Sequence, residues 1–186
     1  MPKALGAAQE GYVSHISIRP ESSSDVDAVS AVNRLAFAGH PYSQQTEHLI
    51  VDALREAGAL SVSLVAVLDG EIVGHVAFSP ALVGDALTGW YLLGPLAVLP
   101  EHHGTGIGSM LVEAGLEGLK ACDARGCVLV GESGYYSRFG FRIFPGLVYA
   151  GVPGEHVLGL PLGASAPTGE IFAHEAFLIE ADRGDV

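Results

Sequence analysis

Three glycines at alternate positions, Gly104, Gly106 and Gly108, follow a histidine pair in the stretch PEHHGTGIGSMLVEAG and open an apolar, helix-like run. The start of a helix exposes N–H groups that have no partner within the helix, and it carries the positive end of the helix dipole. It is therefore a natural seat for phosphate. Glycine lets such a group come close to the backbone. Thr105 and Ser109 could add hydroxyl donors, and no Lys or Arg stands in the turn, so backbone donors would dominate the grip.

Two familiar phosphate loops do not fit. A Walker loop requires a lysine after its last glycine, and none is present. A Rossmann turn requires G-x-G-x-x-G at the end of its strand, but Ser109 stands where the third glycine belongs and the preceding strand ends several residues earlier. The run before the turn, GWYLLGPLAVL, contains Gly94-Pro95. Proline cannot donate to a sheet ladder, so in so apolar a run it implies a bulge or an open edge. An open edge beside a phosphate-binding helix start suits a ligand with a pyrophosphate at one end and an amide-bearing arm that pairs like a strand. Coenzyme A has that shape.

The elements that must position these groups can be read along the chain. YVSHISIRP alternates as a strand and stops at Pro20; SSSD then offers helix caps before a first helix, and a second spans about 43–58. LSVSLVAVL and EIVGHVAFSPALV flank Asp69-Gly70, a dipeptide suited to a tight hairpin turn. A third strand of this group covers about 89–99. A mostly apolar helix follows, reaching about Arg125, with Gly115 and Gly118 inside it. Interior glycines cost up to ~1 kcal/mol each against alanine, so close approach to the sheet or a ligand is expected there. GCVLVGE reads as a short buried strand and GYYSRFGF as one helical turn ending at Gly140. FRIFPGLVYAGV, EHVLGLPL and EIFAHEAFLIE read as further strands. Hairpins first and alternation later predict an α/β domain with a mixed central sheet and helices on both faces.

The 186 residues suit a single domain, and an apolar fraction of 49% is ample for a core. A formal net charge of −12 disfavours nucleic acid and anionic membranes and mildly favours cationic partners. Cys122 and Cys127 match no metal or redox spacing. The start MPKALGAAQEG lacks an apolar signal core, and the run WYLLGPLAVLP is well short of the ~20 residues of a membrane span. These features predict a reduced, cytoplasmic protein.

Two motifs together carry a family resemblance. His103-Gly104-Thr105-Gly106-Ile107-Gly108, led in by LAVLPEHHG, is similar to the [QR]-x-x-G-x-[GA] signature of the GNAT superfamily of acetyl-CoA-dependent N-acetyltransferases. Tyr136-Ser137-Arg138-Phe139-Gly140-Phe141 is similar to that family's Y-x-x-x-G-F. The resemblance covers about residues 12–150, leaving 151–180 as variable C-terminal strands. It implies acetyl-CoA as cosubstrate, held by the main chain of Leu96, Ala97 and Val98 and by the turn from His103 through Gly104, Thr105, Gly106, Ile107 and Gly108 to Ser109. It also implies an amine acceptor, belonging to a small molecule or a peptide, that attacks the thioester directly. Separately, pairing through the C-terminal strands is the expected route to a homodimer. His103 departs from the usual Gln or Arg, which puts a side-chain contact to the pyrophosphate in question. By motif register Tyr136, rather than Tyr135, matches the family's general acid. The strand before the turn holds no Asp, Glu or His for a base, leaving Glu132, His75, His174 or bulk water. The missing base and the altered His103 also motivate a second reading, a CoA-binding sensor or partner-binding module that does not turn over. The His102-His103 pair has no third ligand and is not read as a metal site.

Overall fold

A computed structural model describes residues 15–163 and 165–180. The chain begins with strand β1 (Ile16–Pro20), followed by helices α1 (Val26–Phe37) and α2 (Glu47–Glu56). Strands β2 (Val62–Leu68), β3 (Glu71–Val83) and β4 (Ala86–Val98) form an antiparallel meander. Helix α3 (Ile107–Ala121), strand β5 (Gly126–Val130) and the single turn α4 (Ser133–Tyr136) come next. The remaining strands are β6 (Leu147–Val148), β7 (Val157–Pro161) and β8 (Gly169–Phe172).

The sheet runs β1-β2-β3-β4-β5-β7, and β8 joins the far end of β3 with β6 beside it. β4 and β5 are parallel, whereas β1 through β4 pair antiparallel in sequence. The hairpin turn falls at Asp69 (φ 51°) and Gly70 (φ 92°), the two positive angles that an Asp-Gly turn supplies. Helix α3 covers one face, packing Leu111, Val112, Leu116 and Leu119 on Val76, Phe78, Leu93 and Leu129. Helices α1 and α2 cover the other, where Val29 and Val51 meet Val65. A further core on that second face joins Trp90, Leu92 and Val128 to Phe144, Val157 and Ile171.

The expected elements are present, with four corrections. The first strand begins at Ile16, and residues 12–14 of its expected run lie outside the described residues. Helix α3 stops at Ala121 because Asp123 turns to φ 52°. FRIFPGLVYAGV is mostly irregular: Pro145 and Gly146 (φ 80°) break it, leaving one bridge, Arg142 to Gly159, and the two residues of β6. EIFAHEAFLIE is a strand only to Phe172. A 3-10 turn, Glu175–Leu178, then forms with His174 Nδ1 accepting the Ala176 N–H at 3.1 Å.

Candidate active site

β4 and β5 share only three residue pairs, from Trp90–Gly126 to Leu92–Val128, and then part. Among the described residues, β4 continues to Val98 with no strand neighbour on that side. It carries the expected bulge: Phe78 faces Leu93 and Val76 faces Leu96, so Gly94 and Pro95 together oppose Ala77 alone. Beyond the bulge the direction of the main chain can be deduced. The Leu99 N–H goes to Val73 O at 2.9 Å, and strand groups alternate, so Ala97 turns toward β3 while Leu96 and Val98 turn to the open side.

The open edge runs into the glycine turn. Gly104 (φ 76°) and Gly106 (φ 89°) both occupy the left-handed region, which explains glycine at these two positions. A Cβ at either would meet nothing within 4 Å, so the backbone there is bare. Gly106 caps α3 without a side-chain hydrogen bond, and the first bond of the helix is Met110 N–H to Gly106 O at 3.0 Å. The N–H groups of Ile107, Gly108 and Ser109 precede it and have no partner within the helix.

A groove of about 370 Å³ follows the edge and the turn. It is lined by Leu96, Val98, His103, Gly104, Gly106, Ile107, Gly108 and Ser109, together with His102, Tyr135 and Arg138. Two of the residues expected to hold the cofactor are absent from this lining. Ala97 is buried and faces away, opposite His75. Thr105 uses its hydroxyl on His102 O at 2.6 Å. The His103 side chain is also engaged, with Nε2 donating to Val98 O at 2.8 Å. Arg138 adds a charge that the turn itself lacks, and its guanidinium lies 4.7 Å from the Tyr135 ring centre. It is the R of GYYSRFGF, so its signal lay inside a motif already singled out.

The two neighbouring tyrosines take different environments. Tyr135 lines the groove, its hydroxyl 2.8 Å from where a Gly108 Cβ would stand. Tyr136 lies behind it, half-buried against the core and edge-on to Phe141 at 6.0 Å. Burial, with smaller contributions from Tyr135 and Cys127, pushes its phenol above the usual range and keeps it protonated. The Glu132 side chain is 74% exposed at the start of α4, with His156 Nδ1 3.7 Å away, and it is not among the groove residues.

His75 has no free lone pair to offer as a base. Ser63 donates its hydroxyl proton to Glu21 and so accepts from His75 Nε2 (2.9 Å), which leaves Nδ1 to accept from Asn33 Nδ2 at 3.1 Å. Burial lowers the His75 pKa against the pull of Glu21, keeping the ring neutral. Burial alone would raise the Glu21 carboxyl, but the His75 ring 3.7 Å away, the bonds from Ser63 and Arg55, and the Arg55 charge outweigh it and hold it at about 2. His75 thus ties β3 to β2 and α1. His174 is likewise engaged, capping the C-terminal turn.

Comparison with known proteins agrees with this geometry. Residues 59–143 match the sequence profile of a family described as Acetyltransferase (GNAT) domain. An Escherichia coli protein named as the uncharacterized N-acetyltransferase YhbS is 36% identical over 127 residues, spanning 68% of this chain and 73% of that protein. A second, YjhQ of the same organism, is 30% identical over 132 residues, or 70% and 71% of the two chains. Among solved structures, a GNAT family acetyltransferase from Brucella melitensis in complex with acetyl-CoA is 45% identical with a TM-score of 0.78, covering 88% of this chain and 98% of its own. The structure of Escherichia coli YhbS in complex with CoA has a TM-score of 0.81 at 31% identity, covering 92% and 97%.

Proposed function

The chain belongs to the GNAT superfamily of N-acetyltransferases, and on that premise we propose that it transfers acetyl from acetyl-CoA to an amine along the groove between Leu96 and Ser109. The observation that carries this is the continuity of the open β4 edge with the uncapped start of α3. The pyrophosphate would take the N–H groups of Ile107, Gly108 and Ser109, with Arg138 as countercharge. The pantetheine arm would pair with the main chain of Leu96 and Val98, displacing His103 from Val98 O.

At the thioester the amine lone pair forms the new C–N bond, the C–S bond breaks, and the thiolate takes a proton. A main-chain N–H at the bulge, near Leu96, would meet the carbonyl oxygen as charge develops there. We assign the proton donor to Tyr136, whose surroundings keep it protonated, and cofactor contact to Tyr135. Glu132 is our candidate for taking the amine proton, through solvent.

One domain over the whole chain, a homodimer and a cytoplasmic location complete the reading. Dimer formation through the C-terminal strands is supported by exposed Leu82, Val148 and Phe172, with Leu82 and Phe172 paired across β3 and β8. No helix among the described residues is long and apolar enough to cross a membrane, and the cysteines are unpaired.

The test is a thermal shift with acetyl-CoA, CoA, NADH and ATP on wild type and Gly106→Trp, with thiol release over an amine panel. Ligand that binds only the folded state raises the melting point. Stabilisation of wild type by acetyl-CoA, lost in a folded Gly106→Trp, supports the groove assignment. No response to any CoA species refutes it, and binding without turnover favours the sensor reading.

A further inference from the structure

The bulge has a second face, turned away from the groove. His75, Ala77 and Ser79 alternate on one side of β3, and the His75–Asn33 bond identifies that side as the one under α1. The bulge at Gly94–Pro95 opposes Ala77, two residues on from His75. Phe37 is one turn on from Asn33 along α1 and shares its helix face. From the C-terminal turn, Phe177 reaches over the same place, with Cε1 4.0 Å from the Cβ position of Gly94. On β5, Val130 lies on the side of Val128, just past the point where the strands part, and is 45% exposed. One pair back from the bulge, Ser79 is 0% exposed, and its Oγ has no hydrogen-bond partner among the described residues.

This face is apolar and aromatic apart from two buried polar atoms without a partner among the described residues, the Ser79 hydroxyl and Asn33 Oδ1. None of the side chains placed here carries a positive charge. Of the arginines on α1 and α2, Arg55 is bound to Glu21 and Asp52, and Arg34, one residue on from Asn33, is exposed. A carboxylate beside the amine would have no cation to meet, and a buried hydroxyl without a partner is costly unless a ligand or water satisfies it.

We propose that the acetyl acceptor is a primary amine on an apolar, ring-sized body without an adjacent carboxylate, seated over the Gly94–Pro95 bulge with Phe177 as its selecting wall. The proposal rests on the acetyl-transfer reading above. Phe177 acts through shape and contact with the amine's body, and Ser79, two residues on from Ala77 on the same side of β3, carries the buried, unpartnered hydroxyl beneath that face.

Thiol release from acetyl-CoA by the full chain tests this with 2-phenylethylamine, L-phenylalanine and putrescine. The first two differ only in the carboxylate, and the third lacks the apolar body. The expected kcat/KM for 2-phenylethylamine exceeds the others by about tenfold or more. Phe177→Ala should lower that value by about tenfold with the KM for acetyl-CoA unchanged, and Phe177→Leu should restore part of it. Ser79→Ala removes only an unpaired hydroxyl and should fold; a loss of 2-phenylethylamine turnover in it supports the site independently. Equal or better use of L-phenylalanine or putrescine overturns the proposal, as does a Phe177→Ala loss that is the same for all three amines. Acetyl-CoA stabilisation without turnover of 2-phenylethylamine overturns it while leaving cofactor binding intact. A protein that gives neither response loses the underlying reading as well.

Discussion

Two identical substitutions three positions apart on α3 should have opposite effects. Replacing Gly118 or Gly115 by alanine gains about 1 kcal/mol of helix propensity in either case. At Gly118 the new Cβ would lie 3.5 and 3.7 Å from the methyls of Val62, ordinary contact that needs no movement. At Gly115 it would stand 2.2 and 2.4 Å from Cε2 and Cζ of Phe78, more than an ångström inside the ~3.5–4.0 Å of carbon–carbon contact. Phe78 is fully buried, so its ring cannot swing aside and α3 must lift. Overpacking of that kind costs about 1–3 kcal/mol or more and outweighs the propensity gain. Gly118→Ala should therefore raise stability by about 1 kcal/mol, and Gly115→Ala should lower it by roughly 1–2 kcal/mol. For a chain of this size each kcal/mol moves the melting point by about 2–4 °C. Urea titrations give the free energies, and acetyl-CoA kinetics show whether lifting α3 disturbs its N-terminal turn, with a raised KM expected in Gly115→Ala only. Equal stability of the two variants would refute the claim that contact with Phe78 fixes the height of α3 on the sheet.

Two further outcomes follow from the site and its buried network. Tyr136→Phe should reduce kcat by about a hundredfold with the KM for acetyl-CoA nearly unchanged, while Tyr135→Phe should weaken acetyl-CoA binding more than kcat; steady-state kinetics showing the reverse would exchange the two roles. The Glu21 carboxyl is held at about 2 against an ordinary 4.5, so its contribution is present above the ordinary value and fades as pH falls from there through the folded value. On the order of 3 kcal/mol at most is at stake, and urea midpoints across that window should fall more steeply in wild type than in Glu21→Gln.

Local chemistry made much of the fold legible in the sequence. Asp69-Gly70 demanded a tight turn, Pro95 demanded an interrupted ladder, and alternating glycines before an apolar run demanded an exposed helix start. Each is a backbone constraint set by one or two residues. Side-chain direction was not legible. Tyr135 and Tyr136 sit about 100° apart on a helical turn, and only packing against Phe141 decides which one turns inward. The engagement of His103 with Val98 O depends on a turn geometry that residue types do not specify. The second face of the bulge is assembled from α1, β3, β5 and the C-terminal turn, segments too far apart in the chain for any spacing rule. The irregular stretch after Gly140 reads as strand because its aromatic and branched residues fill a core, and they do so here with only one bridge and the two residues of β6 in a ladder.

The unpaired length of β4 has a consequence for the protein's behaviour at high concentration. A bare strand edge is a template for a strand of any other molecule, including another copy of the same chain. This edge is interrupted by a bulge and has its Val98 carbonyl covered by a histidine from the following turn. Those features deny a straight, complementary edge to an incoming strand while leaving Leu96 open. The chain can thus hold a place for one extended guest and still resist polymerising through it.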